Sequence, residues 1–144
     1  PGVKVVLAAD QVPAGAYTLE LLAKMATARA ANGEPGFQSS VLSNVASREM
    51  NVREVLAKVV LGEADVGFVY ATDATRSTNE NRVAVLAVPV AQNVTTHLLV
   101  GVVNDSDQRD LAAMFIEFIT SDEGATILTQ AGFAPTVPAG VPSR

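Results

Sequence analysis

An α/β fold built on a mainly parallel sheet flanked by helices is what the 144-residue sequence predicts, and three observations carry that expectation. Strand-length apolar runs alternate with segments of helical spacing, the order expected when parallel strands are joined by crossover helices. The first run, Lys4-Val5-Val6-Leu7-Ala8-Ala9, is continuously apolar after its lysine, as suits a strand covered on both faces. Further on, Val52, Val55, Leu56, Val59 and Val60 fall at i, i+3, i+4, i+7 and i+8, which puts all five on one helical stripe.

The elements follow in order. After a turn at Val12-Pro13 a helix is predicted from about Ala14 to Ala31, because Leu19, Leu22, Ala23 and Ala26 recur at helical spacing while Glu20, Lys24 and Thr27 share the opposite face. Asn32-Gly33 ends it. Residues 33–50 read as a loop at Gly33, Pro35 and Gly36, with Val41-Leu42 a short helical turn or strand, and nothing functional is assigned there. In the next helix Asn51 fits the N-cap, Glu54 its capping-box partner and Gly62 the stop. Asp65-Val66-Gly67-Phe68-Val69-Tyr70 reads as a buried strand, and Thr72-Asp73 opens a loop or short helix. Two further strands are expected at Val83–Val88 and Leu98–Val103. A helix starting near Asp105 or Ser106 then sets Leu111, Met114, Phe115, Phe118 and Ile119 on one face, and another begins after Ser121 and ends at Gly132. The proline-rich tail from Pro135 to Arg144 is expected to fray.

Composition narrows the function. At 49% hydrophobic residues the chain is one domain's worth of material, able to bury roughly two thirds of its unfolded surface. Its net charge of −5 and ten scattered Lys and Arg residues do not form the basic stripe of a nucleic-acid binder. Without cysteine there is no disulfide, thiolate zinc site or Cys nucleophile, and the single histidine, His97, makes no histidine-based metal site. No metal ligand set and no cofactor is expected.

An enzyme is not expected either. A triad of His97 with Asp105 or Asp107 lacks a Gly-x-Ser-x-Gly elbow, and Glu63 and Asp65 read as solvated turn charges. Neither a glycine-rich phosphate loop nor an EF-hand pattern is present. The longest stretch without a formal charge, Val83 to Asn104, is interrupted by Pro89, Gln92, Asn93, Thr95, Thr96 and His97, so it reads as two strands and not as a membrane span. Pro1-Gly2 has no charged n-region or apolar h-region behind it, and the start reads as a cut, with any signal peptide removed or outside this chain.

The chemistry lies where helices begin. The first N–H groups of a helix lack internal partners and carry about half a positive charge, so a helix start facing a cleft suits an anion. With Pro13 at the first helical position, Ala14 and Gly15 supply the leading free N–H groups, and no Ser, Thr, Asp or Asn stands at the cap to occupy them. Surface water is the ordinary alternative partner. A capping Asn51 bonds two or three residues on and leaves the Val52 N–H uncommitted, again with water as the plain alternative. Tyr70 ends an apolar strand, and open α/β sheets gather ligands beyond the carboxyl ends of their strands. A core tyrosine with its hydroxyl in water is the competing reading. Together the three donate hydrogen bonds without a fixed positive charge, which suits an oxyanion that must later be released.

Three runs carry a resemblance: Val12-Pro13-Ala14-Gly15-Ala16-Tyr17, Asn51-Val52-Arg53-Glu54-Val55-Leu56, and Gly62-Glu63-Ala64-Asp65-Val66-Gly67-Phe68-Val69-Tyr70-Ala71-Thr72-Asp73-Ala74. With Phe115-Ile116-Glu117-Phe118-Ile119, Ser121-Asp122-Glu123-Gly124-Ala125 and Ala131-Gly132-Phe133, they make roughly residues 4–135 resemble the C-terminal half of the periplasmic molybdate-binding proteins of ABC importers. The resemblance implies one lobe of a type II binding protein, closing on molybdate or tungstate as transported ligand. It implies backbone donors at Ala14 and Val52 and a phenol donor at Tyr70. The family's other lobe, with its two serine contacts, has no counterpart here, and Ser39, Ser40, Ser43 and Ser47 do not match those motifs.

The same resemblance divides the chain into a second lobe at 1–93, a returning strand and C-terminal helices at 94–134, and a flexible tail at 135–144. It implies an ABC importer permease and the missing N-terminal lobe as partners, and a periplasmic or extracytoplasmic place, with any membrane anchor in a segment absent here. Leu111, Phe115 and Phe118 would then lack their usual cover, so either docking onto the chain's own sheet or self-association through the C-terminal helices is expected. Half a site is a weak one. Three hydrogen bonds to an anion at roughly 1.5–3 kcal/mol each barely meet association costs of about 4–15 kcal/mol. Sulfate, phosphate or an effector-sensing role in a regulator are the alternatives, since neutral donors do not select by charge and fold alone does not fix function.

Overall fold

The computed structural model describes residues 2–79 and 82–134, so the expectation for the tail at 135–144 lies outside the described residues. The described residues form two compact units, divided between Thr96 and His97.

In the first unit the order is β1 (Val5–Ala8), α1 (Pro13–Ala31), α2 (Phe37–Ser43), β2 (Val45–Glu49), α3 (Val52–Val60), β3 (Val66–Gly67) and α4 (Ala71–Asn79). Both pairings are parallel and the strand order is β2-β1-β3. The predicted α/β class with a parallel sheet is therefore the observed one. β1 is central, and Val5, Val6, Leu7 and Ala8 are all buried, which accounts for its continuous apolar run. Its neighbours align Val5 with Val45 and Val66, and Val6 with Ser47 and Gly67.

α1 ends at Asn32 as expected, but its buried stripe is Ala14, Thr18, Leu21 and Leu22, while Ala23 is exposed. Burial follows the i, i+4, i+7, i+8 line from the helix start that β1 positions, and the buried Thr18 hydroxyl is satisfied by the Ala14 carbonyl at 2.7 Å. The loop expected at Gly33, Pro35 and Gly36 leads into α2, which includes the helical turn or strand expected at Val41-Leu42, and then into the edge strand β2, which no sequence signal marked. Its alternating half-buried and exposed residues, with Ser47, Arg48 and Glu49 among them, hide β2 from a reading based on apolar runs. β3 is half-buried and only two residues long. No strand pairs on its outer edge among the described residues.

A second correction concerns Val83–Val88 and Leu98–Val103, neither of which is a strand. Leu86, Leu98, Leu99 and Val103 are exposed. A β-strand exists only through its neighbour's hydrogen bonds, and among the described residues these segments have no pairing edge.

The second unit contains α5 (Arg109–Thr120) and α6 (Asp122–Gln130). α5 starts later than the sequence suggests because Ser106 Oγ closes a local turn by accepting from the Gln108 N–H at 3.1 Å. Ser121 caps α6 by accepting from the Gly124 N–H at 3.2 Å. Gly124 is obligatory there, since a Cβ would stand 2.3 Å from the Phe118 carbonyl oxygen. Leu111, Met114, Phe115 and Phe118 are exposed.

Candidate functional site

The first candidate donor comes from the β1–α1 junction. Val12, extended at φ −102° and ψ 149°, precedes Pro13 at the first helical position and offers no side-chain cap. Its own N–H returns to the Ala9 carbonyl at 3.0 Å, folding the helix start back onto the strand end. The approach is so close that a Cβ on Gly15 would lie 2.0 Å from the Ala9 oxygen. Ala14 is buried there, and its N–H has no hydrogen-bond partner among the described residues. The Gly15 N–H is different, because it donates to the Val12 carbonyl at 3.0 Å. The tight first turn at proline spends that group, so of the two leading amides expected to be free only Ala14's is.

The second comes from the β2–α3 junction. Asn51 Oδ1 accepts from the Glu54 N–H at 3.0 Å, the N-cap bond that the sequence anticipates. The Glu54 carboxylate does not close a capping box on Asn51; it accepts from the Met50 N–H at 3.2 Å. With the cap committed to the third helical position, the Val52 N–H is left without a partner among the described residues. Asn51→Ala is expected to cost about 1 kcal/mol, read as a lowered urea midpoint with an unchanged slope.

Tyr70 follows β3 and precedes α4. It is half-buried, and its hydroxyl has no hydrogen-bond partner among the described residues. Burial, then the nearby Tyr17 and Asp73, hold its phenol above the ordinary value, so it remains a protonated donor throughout the neutral range. Tyr17 was not singled out from the sequence. It stands one turn beyond Ala14 on α1 and its hydroxyl meets Thr96 Oγ1 at 3.2 Å.

All three candidates gather on one cluster. Ala14 belongs to the buried core with Val6, Ala8, Val55 and Ala64, and Val12, Val52, Val69 and Tyr70 pack against it. The topology explains why. The chain runs from β1 to β2 on one side and then crosses to β3 on the other, so β1 and β3 flank a switch point, where α/β sheets leave a crevice beyond their carboxyl ends. Gly67 keeps the floor thin, since a Cβ there would come within 2.8 Å of Val55 Cγ1.

Charge around these donors is largely paired. Arg48 pairs with Asp10, and Lys58 Nζ stands 2.9 Å from Glu49 Oε1. Lys58 and then Ser47, by hydrogen bonding, hold the Glu49 carboxyl below its ordinary value. Arg53, exposed at the start of α3, has no ion-pair partner among the described residues. No group of three or more His, Cys, Asp or Glu able to hold a metal occurs among the described residues. Two shallow hollows open along α5, and neither includes Ala14, Val52 or Tyr70. No helix among the described residues is long and apolar enough to cross a membrane.

Comparison with known proteins adds an independent finding. Residues 1–134 match the model of the family described as bacterial extracellular solute-binding protein. The molybdate-binding protein ModA of Mycobacterium bovis and that of Mycobacterium tuberculosis are each 32% identical over 134 residues, 93% of this chain and 45% of the relative. A Bacillus subtilis protein, YvgL, provisionally named an ABC transporter substrate-binding lipoprotein, is 32% identical over 124 residues, 86% of this chain and 43% of its own. The chain thus spans less than half the length of these relatives. No solved structure matches it.

Proposed function

The chain belongs to the bacterial extracellular solute-binding protein family, and from that membership we propose that it is part of the capture component of an ABC importer for molybdate or tungstate. One observation carries the reading. Ala14, Val52 and Tyr70, whose amides and hydroxyl have no partners among the described residues, belong to or pack against one core cluster. Uncharged donors hold an oxyanion through hydrogen bonds worth roughly 1.5–3 kcal/mol each, and release it without breaking a buried ion pair.

The relatives' additional length supplies the other half of the site in this reading. Residues 1–93 form the second lobe, and residues 94–134 are the segment that returns to the first. The exposed Leu111, Phe115 and Phe118 are then the face that the first lobe covers, and a permease is the downstream partner.

Thermal shift of the full-length protein with molybdate, tungstate, sulfate and phosphate tests this. A rise with molybdate and tungstate alone is expected, and Tyr70→Phe should weaken molybdate binding roughly 10- to 100-fold, the worth of one hydrogen bond to an anion. A rise with sulfate or phosphate only would overturn the choice of anion. Submicromolar molybdate affinity of this chain by itself, measured by isothermal titration, would overturn the half-site.

A further inference from the structure

Three contacts tie the loop that leads into α1 to the end of β2 and the loop that leads into α3. Asp10 pairs with Arg48 across the ends of β1 and β2. Beside them, the Ala9 N–H donates to the Glu49 carbonyl at 2.8 Å, extending the ladder one step past β1. Gln11 Nε2 lies 3.7 Å from Met50 Sδ, reaching across to the residue before the α3 cap. Residues 9, 10 and 11 of one segment thus meet residues 49, 48 and 50 of the other.

From this we infer that Asp10 and Arg48 form a positioning clasp that sets the starts of α1 and α3 in register, so that the Ala14 and Val52 amides act as one pair. The inference rests on the oxyanion reading for its functional consequence, though not for its geometry. Neither residue touches the anion. Asp10 follows the last residue of β1 by two positions and Arg48 is the penultimate residue of β2, so the pair spans the sheet edge at the level where both helices begin. Arg48 is also withdrawn from the donors by this contact: its guanidinium is held on Asp10, and the anion meets main-chain N–H groups in place of a cation. The clasp therefore shapes both the spacing and the neutrality of the site.

The pair is solvent-exposed on both sides, at 37% and 57% of side-chain area, so its contribution to global stability is small. Positioning is where it should be felt. Geometry errors well under 1 Å matter for donors that must reach one ligand together.

The test uses nitrogen-labelled chain carrying Asp10→Asn, Arg48→Gln, or the exchanged pair Asp10→Arg with Arg48→Asp. Without anion, each single substitution is expected to displace the amide resonances of both Ala14 and Val52 and to speed hydrogen exchange at the Ala9 N–H, with melting temperature nearly unchanged. The exchanged pair should restore them. With sodium molybdate as probe and the same substitutions in the full-length protein, the single substitutions should weaken the response of those two amides about three- to fivefold, the range of one exposed ion pair, and the exchange should recover it. Ala14 and Val52 resonances at their original positions in Asp10→Asn, or an exchanged pair no better than the single variants, would overturn the clasp. Displaced resonances in Asp10→Asn, together with an unsubstituted full-length protein whose amides ignore molybdate, would support the clasp and sink the oxyanion reading instead.

Discussion

Gly15→Ala is expected to cost about 3 kcal/mol, lowering the melting temperature by about 10 °C, although alanine is the better helix former. A Cβ at this position would sit 2.0 Å from the Ala9 oxygen, 2.6 Å from its carbonyl carbon and 2.8 Å from the Ala8 oxygen. All three are backbone atoms at the end of the central strand, so no side chain can rotate away. The helix start must lift, and Ala14 with it. The loss should therefore appear twice, in calorimetry of the chain and in any anion response of the Ala14 amide. Gly33→Ala provides the contrast. Gly33 has φ +83° but nothing within 4 Å of a Cβ, so only the left-handed backbone is penalised, by roughly 1–2 kcal/mol. Equal losses at the two positions would contradict a steric origin at Gly15.

Leu22→Ala should destabilise by about 2–5 kcal/mol, the largest effect expected of any apolar truncation on α1. Leu22 is wholly buried, and removing its branched end leaves a hole that the surrounding β1 and helix residues fill only in part. The measurement is a denaturant titration, with a lower midpoint and an unchanged slope expected. Phe115→Ala is the matching control. Phe115 is larger but exposed on α5, and its truncation should change the stability of this chain by no more than about 0.5 kcal/mol. A similar cost at both positions would mean that the α5 face is covered in solution.

Much of this arrangement was legible beforehand, and the reason is local. Pro13 fixes a helix start through its own φ and missing N–H, and Asn51 fixes another through its side-chain oxygen, so the positions of Ala14 and Val52 could be read from neighbours one residue away. α3 was read correctly because its Val52–Val60 span is strongly amphipathic. Less could be said of α1, whose alanines are spread around the helix. Its buried line became apparent only once β1 chose a side. β2 escaped notice because polar residues stand on both its sides, Ser47 and Glu49 half-buried and Arg48 exposed. The opposite error occurred at Leu98–Val103, where a strong apolar run met no partner edge. Its composition was sufficient for a strand, but the pairing was not there.

From the order of residues alone came the α/β class, the parallel sheet, the starts of α1, α3 and α6 with the Asn51 N-cap, and the candidate donors, because each depends on spacing within a few positions of the chain. The local turn at Pro13 spends the Gly15 amide on the Val12 carbonyl and spares that of Ala14. Tertiary structure packed Val52 and Tyr70 against the core cluster that includes Ala14, and joined residues 9–11 to 48–50. Those outcomes depend on contacts between segments far apart in sequence, through the crossing from β2 past β1 to β3, and no local pattern encodes which group at such a crossing will find a partner.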